Sequence, residues 1–295
     1  MIKLNGIFSP IATPFDYNGE LYQAKVRHNV EQWNRTGLAG YVVGGSTGEA
    51  ALLSAAEKAL LWEWVAGCSG PGKLLIAGTG MESVRETVAL TNQAAELGYQ
   101  AALVLTPHYY RNVLNDGAAQ ALYFGAVADQ ARIPLVIYNM PQATGIDLDA
   151  ATVARLSSHP NIAGIKDSSG NVDKLAEMVR TVQPGFQVLS GSAPALWRSL
   201  QAGAAGAVLA VANAVPYAAI AIWEAFRTRD TAAAEDWQAR LAHPATLVTA
   251  RYGIAGLKYA MDLNGYYGGP PRLPLAPASP QAKREIEEAF RHLKG

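Results

Sequence analysis

The stretch Asn161–Asn171 reads NIAGIKDSSGN: an apolar run, a lysine at its end, then polar turn residues. This stretch decides the fold. A continuous apolar run, rather than an alternating one, predicts a strand buried on both faces, as in a parallel sheet. The same unit recurs along the chain. Runs rich in Val, Ile and Leu occur at Gly6–Ala12, Leu38–Val43, Lys73–Ala77, Ala101–Leu105, Pro134–Tyr138, Ile162–Lys166, Phe186–Leu189 and Gly206–Val211. Longer segments with helical spacing follow them.

Those segments carry their own start and stop signals. Ser54-Ala-Ala-Glu57 and Ser83-Val-Arg-Glu86 read as capping boxes. Glu20–Thr36 reads as a helix stopped by Gly37, and Asn115–Ala131 as an Ala-rich helix before Pro134. Asp149–Ser157, Asn171–Val182 and Ala193–Ala202 complete the set. Strand–helix units repeated through residues 1–229 predict an α/β fold, a (β/α)8 TIM barrel. A doubly wound sheet of eight strands satisfies the same periodicity. Residues 230–295 have no strand signal. They predict a helical C-terminal domain, with helices at Thr231–Thr249, Ile254–Leu263 and Pro280–Lys294 and the turn-rich GYYGGPPRLP between the last two.

Composition narrows the function. The formal net charge is zero and no basic run occurs, which argues against a nucleic-acid partner. No apolar stretch is long enough to span a bilayer, and the N-terminus MIKLNGIFSPIATPF lacks a signal-peptide pattern, so a cytoplasmic protein is expected. The single cysteine, Cys68, excludes an intrachain disulfide, and no Cys/His spacing suits zinc. Cys68 reads as a small residue at a helix end.

In a barrel of this kind, side chains at the carboxyl ends of the strands face the active site. GGSTGE (Gly44–Glu49), TPHYY (Thr106–Tyr110), YNMP (Tyr138–Pro141), Lys166 and SGS (Ser190–Ser192) fall there. Lys166 is the lysine in this set. A lone lysine ending a strand is more often a solvated surface residue. Flanked by apolar neighbours, however, an amine is partly desolvated, which favours the neutral form that attacks a carbonyl. Tyr138, one of Tyr109 and Tyr110, and the hydroxyls of Ser46 and Thr47 make a candidate proton relay. The glycines of GGSTGE, Gly45 among them, let backbone amides approach a carboxylate. GGSTGE alone also reads as an ordinary turn with Glu49 opening a helix. His108 is the histidine at a strand end, with a structural role as plausible as a site role. Jointly these groups predict imine chemistry on a 2-oxo acid, with no metal or other cofactor.

GGSTGE, TP-x-YY, YNMP-x-x-TG and GIKDSSG, in this order and spacing, resemble the dihydrodipicolinate synthase / N-acetylneuraminate lyase family of class I aldolases. The resemblance covers nearly the whole chain, including YGIAGLKYAMDLNGYYGGP. It implies a (β/α)8 barrel with a C-terminal helical domain, assembled as a homotetramer, a dimer of dimers. It also implies that Lys166 forms a Schiff base with pyruvate or its derivatives and that Tyr138 transfers the proton. Ser46 and Thr47 would contact the pyruvate carboxylate and the relay. Tyr109 would reach into a neighbouring subunit's site. Gly191 and Val208 would line the pyruvyl group, and Ser168 joins Gly45 as a further substrate-binding candidate.

Two departures bear on the second substrate. The family's synthases carry an arginine where this chain has Ala143, and its sialic acid lyases carry an Asp-Glu pair where it has Ala193 and Pro194. TP-x-YYR, HPNI, KDS, FQVL-x-GSA and GYYGGP-x-R-x-PL resemble most the 4-hydroxy-2-oxoglutarate aldolases of the family. Arg111 is then the candidate partner for the substrate's distal carboxylate, since a buried charge must be paired. The expected activity is cleavage of 4-hydroxy-2-oxoglutarate or a similar short 2-oxo acid to pyruvate and an aldehyde. A synthase joining pyruvate to aspartate semialdehyde, a 2-keto-3-deoxy sugar-acid aldolase, and a 2-oxo-acid-sensing binding protein without catalysis are the alternatives.

Overall fold

A computed structural model describes residues 2–293. Eight strands are present: β1 Gly6–Pro10, β2 Gly40–Val43, β3 Leu74–Gly78, β4 Ala101–Leu105, β5 Leu135–Asn139, β6 Ile162–Asp167, β7 Gln187–Ser190 and β8 Gly206–Val208. They form a closed parallel barrel in chain order. The closing pair sets Gly6, Ile7 and Phe8 against Gly206, Ala207 and Val208, which rules out the open doubly wound sheet.

The continuous apolar runs have a direct cause. Phe8, Val42, Ile76, Leu103, Val136, Leu189 and Val208 fill the barrel interior. Their strand neighbours, such as Ile7, Tyr41, Val43, Val104, Ile137, Ile165 and Val188, pack outward against the helices. With both faces covered, most strand positions are apolar, and full burial of each large side chain contributes about 1.5–3 kcal/mol.

The first and last strands are shorter than their apolar runs. Asn213, fully buried, explains both ends. Its amide donates to Pro10 O and Ala210 O at 2.8 and 2.9 Å, and its Oδ1 accepts from Ala12 N at 3.0 Å. One side chain thus turns β1 and the segment after β8 out of the ladder.

The outer helices are Gln23–Asn34, Ala55–Cys68, Val84–Glu96, Gly117–Ala128, Ala150–Leu156, Val172–Thr181, Leu196–Gln201 and Pro216–Thr228. The last of these, opened by proline at its first turn, is not among the helices expected from the sequence. Ser54 and Glu57 form a complete capping box, whereas Ser83 caps Glu86 N without the reciprocal bond. Cys68 does end its helix. Gly37 does not stop the first helix. Arg35 N closes its final turn on Gln32 O and Trp33 O, and Thr36 Oγ1 donates to Trp33 O at 2.7 Å.

Beyond Arg229 the chain is helical: Thr231–Thr246, a π-helical turn Leu247–Arg251, Gly253–Leu263 and Pro280–Phe290. The expected helix to Thr249 gives way early. Pro244, inside it, supplies no amide to the ladder, and the wider turn follows. Lys294, the expected end of the last helix, lies outside the described residues. Among the described residues, no helix is long and apolar enough to cross a membrane.

Candidate active site

Lys166 lies at the carboxyl end of β6, only 5% exposed. It pairs in register with Tyr138 on β5, and the next positions pair Asn139 with Asp167. Alternation along the strands therefore separates two sets of groups. Tyr138 belongs to the barrel's inner layer, and the Lys166 Nζ sits 3.9 Å from its ring centroid. The amine and the phenol are thus brought together inside the barrel.

Asn139 and Asp167 take the opposite face and lock the two strand ends. Asn139 Nδ2 donates to Asp167 Oδ1 at 2.6 Å and to Asp147 Oδ1 at 2.7 Å. Ser169 Oγ donates to Asp167 Oδ2 at 2.6 Å. Lys174 bridges Asp147 and Asp167, the latter at 3.3 Å. Backbone bonds continue the lock past the ladder, from Ser168 N to Asn139 O (2.9 Å) and from Gly191 N to Asp167 O (2.7 Å).

Gly191 is where the backbone must come close. A Cβ there would lie 1.9 Å from Ser168 Oγ and 3.1 Å from Lys166 Cε. The sequence candidates Gly191, Ser168 and Lys166 therefore share one spot. Val208 is buried in the same inner layer as Tyr138.

The end of β2 lies at the same end of the parallel barrel. Gly45, Ser46 and Thr47 lead into a single turn of 3-10 helix, Ser46–Gly48. Thr13 Oγ1 donates to Gly48 O at 2.6 Å and holds this turn against the segment after β1. The relay is not closed by a hydrogen bond between Thr47 and Tyr138. The Tyr138 hydroxyl donates instead to Met140 Sδ at 2.9 Å.

Tyr109 stands apart. In the single chain it is 77% exposed, its ring edge-on to Tyr110 at 5.1 Å. Glu82 pins this loop by accepting from the backbone amides of His108 and Tyr109, both at 2.9 Å, and by pairing with the His108 ring at 3.1 Å. Arg111, also exposed, opens the short helix Arg111–Leu114. Its guanidinium reaches the loop after β5: a Cβ on Gly145 would lie 3.2 Å from Nη1. Gly145 follows the short helix Pro141–Thr144 that holds Ala143. The cation thus stands against Gly145, two residues from Ala143.

After β7, Ala193 and Pro194 lie in a 3-10 turn whose carbonyls accept from Gln238 Nε2 at 3.0 and 3.2 Å. Neither residue brings a carboxylate to the site. Among the described residues, no cluster of three His, Cys, Asp or Glu could hold a metal ion.

Several charged residues around the site are joined by contacts that the sequence does not announce. Glu49 opens only a single turn of 3-10 helix, Ala50–Leu52, and the α-helix that follows is capped by Ser54. Glu49 sits in the left-handed region at φ 58°, a conformation costing a non-glycine residue about 1–3 kcal/mol. Its carboxylate pairs with Lys258 at 2.6 Å, both side chains being almost wholly buried. Desolvation pulls the Lys258 amine below its ordinary value, and the facing Glu49 carboxylate opposes that pull. Removing one partner of such a pair costs about 3–5 kcal/mol. Arg272 N donates to Glu49 Oε2 at 2.8 Å, and its guanidinium binds Gly19 O, Leu52 O and Glu57.

Arg272 also acts on the carboxyl it binds. Its hydrogen bond to Glu57 holds that carboxyl down to about 2, from an ordinary 4.5. Stability from this contact is fully present above the unfolded value and is lost as pH falls from 4.5 towards 2. Urea unfolding across that window should show the parent losing more stability than Glu57→Gln. Equal losses would contradict the assignment.

The dihydrodipicolinate synthetase family pattern matches residues 3–293. The chain belongs to this family. It is accordingly an enzyme of the class I aldolase and carbon–carbon lyase type, with the family's TIM-barrel fold. A 4-hydroxy-tetrahydrodipicolinate synthase from an Exiguobacterium species is 33% identical over 285 residues, covering 97% of this chain and 96% of that protein. The probable mitochondrial 4-hydroxy-2-oxoglutarate aldolase of Emericella nidulans is 35% identical over 293 residues, covering 97% and 93%. The crystal structure of the chloride-inhibited dihydrodipicolinate synthase from Acinetobacter baumannii, complexed with pyruvate, superposes with a TM-score of 0.93 at 29% identity over 98% of each chain.

Proposed function

We propose that the enzyme cleaves 4-hydroxy-2-oxoglutarate, or a short 2-oxo acid like it, to pyruvate and an aldehyde. The observation that carries the chemistry is the buried Lys166 amine held over the Tyr138 ring between register-paired strands. Lys166 adds to the C2 carbonyl, and loss of water leaves the imine. The protonated imine accepts the electron pair of the C3–C4 bond as Tyr138, with Thr47 and a neighbouring subunit's copy of Tyr109 behind it, takes the proton of the 4-hydroxyl. Glyoxylate leaves. The enamine is protonated at C3, and water releases pyruvate and restores the amine. The Ser46–Thr47 turn and the Gly45 backbone take the carboxylate beside the imine, with Ser168, Gly191 and Val208 lining the pyruvyl group.

Arg111 supports the dicarboxylate reading. Its approach to Gly145 puts a guanidinium beside the gap at Ala143. A charge-assisted bond to the distal carboxylate contributes about 1.5–3 kcal/mol. Arg111→Ala should therefore raise KM for 4-hydroxy-2-oxoglutarate about 10- to 100-fold while leaving imine formation with pyruvate unchanged. An unaltered KM would remove Arg111 from the pocket.

A second reading, condensation of pyruvate with aspartate semialdehyde, draws support from the relatives named as synthases. Purified enzyme offered each substrate, with pyruvate release or consumption followed, separates the two. Rapid use of aspartate semialdehyde with no lyase activity would put the synthase reading first. The exposed Tyr109 fits assembly as a dimer of dimers, in which it completes a neighbour's relay, and a cytoplasmic setting agrees with 2-oxo-acid metabolism.

A further inference from the structure

Glu49 ends the GGSTGE segment, immediately after the turn that carries Ser46 and Thr47. A left-handed position is filled at little cost by glycine or asparagine, so a glutamate there has to be held. The groups that hold it come from the far end of the chain. Lys258 approaches Oε1 at 2.6 Å, and Arg272 N donates to Oε2 at 2.8 Å. Lys258 Nζ also donates to Pro270 O at 2.9 Å, tying its helix to the segment that bears Arg272. Both cations lie over the Phe15 ring, at 4.6 and 4.3 Å from its centroid. None of these groups has a step in the imine chemistry.

We propose that Glu49 is a positioning residue for the 2-oxo-acid carboxylate. Anchored by Lys258 and Arg272, it fixes the Ser46–Thr47 turn, and the C-terminal helical segment is thereby part of the substrate-binding machinery. The proposal rests on the reading that this turn receives the carboxylate. A buried ion pair is a weak source of net stability, but it tolerates little displacement because either charge left alone is costly. That property suits a contact whose task is to hold hydroxyls in place.

The test uses the full-length protein as Glu49→Gln, Lys258→Met and the double variant. Glu49→Gln keeps an acceptor for Arg272 N and removes the charge. Each single variant should melt earlier and raise KM for the 2-oxo acid about 10-fold, with kcat within about threefold of the parent. The double variant has no unpaired buried charge and should regain the melting temperature. It should nevertheless keep the raised KM and show faster amide exchange at Ser46–Glu49. A double variant that recovers both stability and KM would reduce the pair to a structural contact and overturn the proposal. If the singles do not fold, the double decides the question alone. Amide exchange is read without substrate, so unchanged protection in the double overturns the tether even if the parent forms no pyruvate adduct. Absence of that adduct in the parent would instead sink the functional reading.

Discussion

Lys166→Ala is expected to fold and to lose turnover by about 10⁴-fold or more, because the covalent route starts from this amine. The substitution removes a side chain enclosed by Gly191, Ser168 and the Tyr138 ring, so the pocket survives while its nucleophile does not. Borohydride reduction in the presence of pyruvate gives an independent readout. The parent should gain a reduced adduct that maps to the peptide containing Lys166, and the variant should gain none. Retained turnover, or an adduct at another lysine, would overturn the mechanism.

Tyr138→Phe separates capture from proton transfer. Its ring stays beneath the Lys166 amine, and the lost hydroxyl gives up a bond to Met140 Sδ. Stability should change by no more than about 1 kcal/mol. The fall in kcat should be about 10²- to 10⁴-fold, the usual contribution of a placed acid or base. The borohydride adduct should persist, since the amine is untouched. A variant with parental kcat would assign the proton to another group, and one that cannot form the adduct would make Tyr138 part of capture itself.

The barrel was legible because its strands are short, continuous and apolar, and both faces of each are covered. Lys166 and Tyr138 were legible because they interrupt that pattern at strand ends. Contacts between distant segments left no such mark. Asn213 reads as a loop residue until its bonds to Pro10 and Ala12 are seen. Lys258 sits among apolar helix residues, and nothing near it in sequence announces Glu49 as its partner. Arg111 was the sequence candidate for a cation replacing the one absent at Ala143, and its approach to Gly145 depends on how two loops fold over each other.

The paired ends of β5 and β6 carry a consequence for how this enzyme can change. Inside and outside alternate residue by residue, with Lys166 turned in and Asp167 turned out. Insertion or loss of one residue upstream in β6 would exchange them, delivering a carboxylate to the reaction centre and the amine to the helical shell. Only a local bulge can absorb such a change, as the register shift opposite Leu135 and Val136 already does for Ala163. The length of this strand is therefore under tighter restraint than most of its composition. New substrate preferences are free to arise by resizing the loops beyond the strand ends, which can drift without disturbing the reacting amine.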